Sequence, residues 1–151
     1  ERRPDYGPPQ IHPTAGATVV GARPPLVAFN AYLDTDRLEV AKEVAKAVRA
    51  SSGGLTGVKA LGLALPEQGR VQVSMNLVDT ETTPIHQALE LVRIEAARYG
   101  ARVTETEIVG LVPEAALLEA ARHYLQLSGF SPRQALEVRL REAEEHDQTP
   151  G

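Results

Sequence analysis

Gln72, Ser74 and Asn76 occupy every other position of the segment VQVSMNL at 71–77. Side chains alternate across a strand, so these three polar groups share one face while Val71, Val73, Met75 and Leu77 fill the other. Neutral amides and a hydroxyl on a sheet face are hydrogen-bonding chemistry. They suit a polar ligand or a partner domain better than open water. The segment LVAFNAYLD at 26–34 repeats the pattern, with Asn30, Tyr32 and Asp34 alternating against Val27, Phe29, Ala31 and Leu33. Lys59, or its neighbour Val58, joins the same face from the segment VKALGLAL at 58–65. From this geometry Asn30, Lys59, Ser74 and Asn76 are the binding candidates, with simple bridging to a partner as the competing role.

Catalytic chemistry is harder to find. His12, His86, His123 and His146 have no carboxylate, serine or second histidine at a spacing that builds a dyad, so surface or capping roles are expected. Only His12 has a position suited to a ligand. Glu105 and Glu107 lie two apart on a strand-like segment; one is expected in solvent and the other against a basic group. No His/Asp/Glu cluster has metal-ligand spacing. Ser51-Ser52-Gly53-Gly54 resembles a phosphate loop but follows a helix instead of preceding one, which makes it a helix stop. The residues describe a binding face without a catalytic engine.

The elements that must position this face are legible from periodicity. The first strand, 26–34, leads into a helix with Leu38, Ala41, Val44, Ala45 and Val48 on one side, opened by Asp36 and Glu39 as a capping-box variant. Two strands follow, joined by the Pro66-Glu67-Gln68-Gly69 turn. Thr83-Pro84 opens a second helix, with proline at its first helical position and Gly100 at its end. Residues 102–112 read as a fourth strand and 113–127 as a third helix. Ser131-Pro132-x-Gln134 is a capping box for a last helix running to about Glu145. The order β-α-β-β-α-β plus two helices is the ferredoxin-like, split-βαβ form of an α+β domain. Right-handed crossovers place strands one and three in the middle of an antiparallel sheet, with both crossover helices on one face. The other face then carries the polar residues, and its few charges imply a cleft or domain interface.

Composition narrows the class. The chain has 151 residues, 42% hydrophobic and 24% charged, as an ordinary globular domain does. A net charge of −4 argues against a general nucleic-acid binder. No apolar run approaches the ~18 residues of a membrane span. The absence of cysteine excludes disulfides and fits either a reducing cytoplasm or a thermophile that avoids labile residues. The chain opens on Glu1 and is expected to be a piece of something longer, or a processed product. Residues 1–25 form a proline-rich arm whose composition favours linker over ligand-wrapping loop, with a short strand at 17–20. Residues 26–147 are the domain proper, and 148–151 a tail.

Several segments resemble glutamate formimidoyltransferase, also found as the first part of formimidoyltransferase-cyclodeaminase. They are PDYGP (4–8), GATVVGARPPLVAFNAYL (16–33), GGLTGVKALGLAL (53–65), VQVSMNL (71–77), EIVGLVPEAAL (107–117) and GFSPRQALEVRL (129–140). The resemblance is to the second of two similar ferredoxin-like subdomains that flank a folate tunnel. It implies tetrahydrofolate as co-substrate and N-formimino-L-glutamate as donor, with the N-terminal subdomain as partner, in histidine breakdown. It also implies a homodimer, for which the apolar 115–127 segment is either interface or core. The folate-contacting segment of the family matches Gly7, Pro8, Pro9, Gln10, Ile11, His12, Pro13, Thr14, Ala15 and Gly16, which overrides the linker reading of that stretch. The chain departs from the animal enzymes at His12 and Ala15. The family's general-acid histidine belongs to the first subdomain, in a motif resembling His-Pro-Arg, and no such motif occurs here. His12 precedes a proline but lies in a different segment. The alternative is a stand-alone ferredoxin-like binding or dimerisation module without the reaction.

Overall fold

The computed structural model describes residues 3–22 and 24–147. Among them the main elements are β1 (Val27–Leu33), α1 (Leu38–Val48), β2 (Val58–Leu65), β3 (Arg70–Leu77), α2 (Ile85–Ala97), β4 (Val103–Val109), α3 (Glu114–Tyr124) and α4 (Leu136–Asp147). The strands form one sheet in the order β2-β3-β1-β4, antiparallel at every step. This is the ferredoxin-like arrangement that the element order implies, with β1 and β3 central.

Alternation builds the core. Val27, Phe29, Ala31 and Leu33 of β1 and Val71, Val73, Met75 and Leu77 of β3 are buried on one side of the sheet. Against them lie Val40, Ala41, Val44, Ala45 and Val48 of α1 and Ile85, Ala88, Leu89, Val92 and Ala96 of α2. Each such Val, Leu or Ile contributes about 1.5–3 kcal/mol on burial. Gly62 lets α1 settle onto β2: a Cβ there would sit 2.4 Å from the backbone of Ala41 and Lys42. The residue type is set by this close approach.

Several boundaries differ from the sequence reading. Arg37, without a side-chain cap, precedes α1, and Thr35 Oγ1 accepts from the Arg37 N–H at 3.3 Å in place of an Asp36–Glu39 box. Asp34 draws the chain elsewhere, accepting from the Arg102 N–H at 2.6 Å where the β1–β4 register shifts. Pro84 is the cap of α2 and not its first helical residue. Gly110, at φ 82°, takes the backbone out of the strand region just past β4. The Ser131 capping box serves a 3-10 turn, Pro132–Gln134; extended Ala135 separates it from α4. That helix includes His146 and Asp147, while 148–151 lie outside the described residues. Residues 17–20 form no strand among the described residues, and Val19 and Val20 are exposed.

α3 stands against α2 and adds Ala116 to the core, but Leu117, Leu125 and Leu127 remain exposed. Leu118, Ala120 and Ala121 of the helix are half-buried, and Leu125 and Leu127 lie past its end. The side of the sheet opposite α1 and α2 is open: Lys59, Leu61, Leu63 and Asn76 are all exposed on it.

Candidate functional site

Register turns the open face into rows that run across all four strands. One row is Leu61, Ser74, Asn30 and Glu107; the next toward one end is Lys59, Asn76, Ala28 and Val109. Toward the other end come Leu63, Gln72, Tyr32 and Glu105. Directly opposed residues on one face have Cβ atoms about 4.5–5.5 Å apart. Asn30, Lys59, Ser74 and Asn76 are thus brought together, as the alternation required. Lys59, Ser74 and Asn76 make no side-chain hydrogen bond among the described residues. Gln72 is different: it is buried between Leu63 and Tyr32.

Ser74, Asn76, Lys59 and Leu61 line a hollow of about 510 Å³ together with Arg49 and Ser51 from the turn that follows α1. That volume is in the range of small-molecule sites. Arg49 also donates to Ser52 Oγ at 2.8 Å, which fixes its guanidinium at the rim. Two cations, Arg49 and Lys59, therefore flank neutral hydrogen-bonding groups. Sequence periodicity missed Arg49 because it stands in the irregular stretch between α1 and β2.

The far side of the face is acidic and organised. Tyr32 donates its hydroxyl to Glu107 Oε2 at 2.6 Å, and Asn30 Nδ2 donates to the same oxygen at 3.1 Å. These two bonds hold the Glu107 carboxyl below its usual range, and the phenol rises because its proton is engaged and partly shielded from water. Glu105 instead pairs with Arg70 at 2.7 Å, whose guanidinium also lies 4.1 Å from the centre of the Tyr32 ring. So Glu105 meets a basic group, while Glu107 is exposed to water and also accepts from two neutral donors.

The arm stands apart from these rows. Every described residue from Arg3 to Ala22 is exposed. Within Gly7–Gly16, His12 closes a turn: its carbonyl accepts from Gly16 N–H at 3.0 Å, and its Nδ1 accepts from Ala15 N–H at 3.1 Å. Gly7 and Gly16 have positive φ, 93° and 69°, a conformation that glycine adopts without strain.

His86 and His123 do form a pair that sequence spacing hid. Their rings stack at 4.1 Å between centroids and 14° between planes, with Tyr124 edge-on to both. The pair lies between α2 and α3, in the helical layer and away from the open face.

The structure is an α+β domain of the split-βαβ kind, with an uncovered sheet face of polar groups and a hollow flanked by Arg49 and Lys59. The formiminotransferase domain model matches residues 28–142, and the chain belongs to that family. It is 50% identical over 141 residues to a glutamate formimidoyltransferase of Thermoplasma acidophilum, covering 93% of this chain and 46% of that one. A glutamate formimidoyltransferase of Streptococcus pyogenes serotype M1 is 47% identical over 138 residues, 91% of this chain and 46% of its own. A formimidoyltransferase-cyclodeaminase of Gallus gallus is 40% identical over 129 residues, 82% of this chain and 24% of its own. The chain thus spans about half the length of the two transferases.

Proposed function

We propose that this chain is the folate-binding subdomain of a cytoplasmic glutamate formimidoyltransferase, acting with an N-terminal companion that carries the general-acid histidine. The observation that carries this reading is the open sheet face. Leu61 and Leu63 are 62% and 41% exposed beside Ser74 and Gln72, a surface poorly suited to water alone. The transferases it resembles have about as much chain again to cover that surface.

In this reading tetrahydrofolate lies between the two halves, contacted by Gly7–Gly16 and by Asn30, Ser74 and Asn76. Lys59 and Arg49 suit the carboxylates of a glutamyl moiety. The reaction passes the formimino group from N-formimino-L-glutamate to N5 of tetrahydrofolate. The N5 lone pair attacks the amidine carbon, the N5–C bond forms, and the C–N bond to glutamate breaks. The proton lost from N5 is balanced by the one gained on the departing amine. This chain supplies alignment of the two substrates, and the companion supplies proton handling. A homodimer belongs to the same reading, with the exposed Leu117, Leu125 and Leu127 near the end of α3 as its contact.

The test is reconstitution. The chain alone should bind a folate analogue weakly and show no transferase turnover; the chain joined to its companion half should do both. Turnover of N-formimino-L-glutamate by the isolated chain would overturn the proposal.

A further inference from the structure

Charge on the open face is unevenly matched. Of its two carboxylates, Glu105 is neutralised by Arg70. Glu107 has only the neutral donors Tyr32 and Asn30, both on Oε2, and no cation pairs with it among the described residues. Its Oε1 takes no hydrogen bond among them. The result is a carboxylate held in one orientation, with an unneutralised charge, in the same row as Asn30 and Ser74.

We infer that Glu107, positioned by Tyr32 and Asn30, is a binding site for a planar N–H-bearing cation, and that its occupant is the amidinium of a formimino donor. The inference rests on the proposed function for the identity of that donor. An amidine is protonated at neutral pH and presents N–H groups in one plane, the geometry that a carboxylate recognises in arginine. A formyl donor has a neutral carbonyl in place of that nitrogen, so a fixed carboxylate discriminates against it twice. It forgoes the charge-assisted bond, and it turns an oxygen lone pair toward an anion. Glu107 therefore separates two one-carbon groups of almost equal size by charge, where shape cannot.

Two measurements decide this. The 151-residue chain, labelled with 15N, is titrated with formamidinium and, separately, with formamide. Formamidinium should give saturable shifts at Asn30 and its neighbours in β4, formamide should not, and Glu107→Gln should weaken the response about tenfold or more. Equal responses to both probes, or an unchanged response in E107Q with its circular dichroism intact, would overturn the inference. In the complete two-half enzyme, E107Q should raise the KM for N-formimino-L-glutamate and leave that for tetrahydrofolate unchanged. If E107Q instead loosens the association of the halves with both KM values unmoved, the carboxylate serves an arginine of the companion, and the inference fails. Formamidinium binding without any folate binding would sink the proposed function alone.

Discussion

The Tyr32 hydroxyl reaches from β1 to the Glu107 carboxylate on β4 in a 2.6 Å hydrogen bond, and this contact favours the charged carboxylate. It is the largest influence on Glu107, followed by the Asn30 amide, and both favour the charged form.

Removing the hydroxyl should therefore be visible as titration. In Tyr32→Phe the Glu107 pKa should rise toward the ordinary glutamate value, as followed by the 13C shift of the carboxyl carbon. The sign for stability follows from the depressed folded pKa. The contact stabilises above the unfolded value near 4.5 and is lost as pH falls through the lower folded value. Wild type and Y32F should thus differ near neutrality and converge in strong acid. An unmoved Glu107 titration in Y32F would show that the hydroxyl does not control the carboxylate.

Gly62→Ala tests the packing that holds the sheet against its helices. The added Cβ meets the Ala41 carbonyl carbon and the Lys42 nitrogen at 2.4 Å, and both are backbone atoms with no rotamer to change. α1 must move off β2. Overpacking of this kind costs about 1–3 kcal/mol, or roughly 2–10 °C in Tm for a domain of this size. Thermal unfolding by circular dichroism measures it, and an unchanged Tm would show that α1 is not seated as tightly as described.

The stacked histidines predict a pH-dependent loss of stability. Burial is the main cause that lowers the His86 pKa, and the neighbouring His123 lowers it further. Glu90 and Glu119 act in the opposite sense, and Arg122 adds to the depression. Tyr124 and Arg93 complete the surroundings, bonded or ion-paired to Glu90. Because the folded pKa lies below the unfolded one, the folded state binds fewer protons in between. Stability should hold above about pH 6.5 and fall as pH drops through the folded pKa. In His123→Ala the His86 pKa should rise, read from the imidazole proton shifts. A His86 titration unaffected by H123A would remove the coupling.

These pairs mark where sequence reading stopped. Alternation along β1 and β3 exposed the two faces because a strand repeats every two residues, whatever the rest of the fold does. It placed Asn30, Lys59, Ser74 and Asn76 on one surface. Contacts between distant segments were out of reach. Glu107 meets Asn30 across a separation of 77 residues, and its partners are set by the pairing of β1 with β4. His86 and His123 meet only because α3 folds back on α2. The Asp36 cap failed for a related reason: Asp34, Thr35 and Arg102 fix the turn through a link to the neighbouring strand that local propensity does not see.

The exposed leucines of β2 separate a binding wall from a merely solvent-facing sheet. Leu61 opposes Ser74 and Leu63 opposes Gln72, on the same face as the polar candidates. Leu61 is 62% exposed and Leu63 41% exposed here, so replacing them with serine removes only part of a leucine's burial from this chain. The double variant L61S/L63S should keep its Tm to within a few degrees, since surface changes of this kind stay near ±0.5 kcal/mol each. Joined to a companion half, the same variant should lose much of the hydrophobic contact. Association measured by titration calorimetry should weaken at least about tenfold, with transferase turnover falling alongside. Undiminished association would mean that the companion does not cover β2, and the open face would then have to find its partner in the ligand alone.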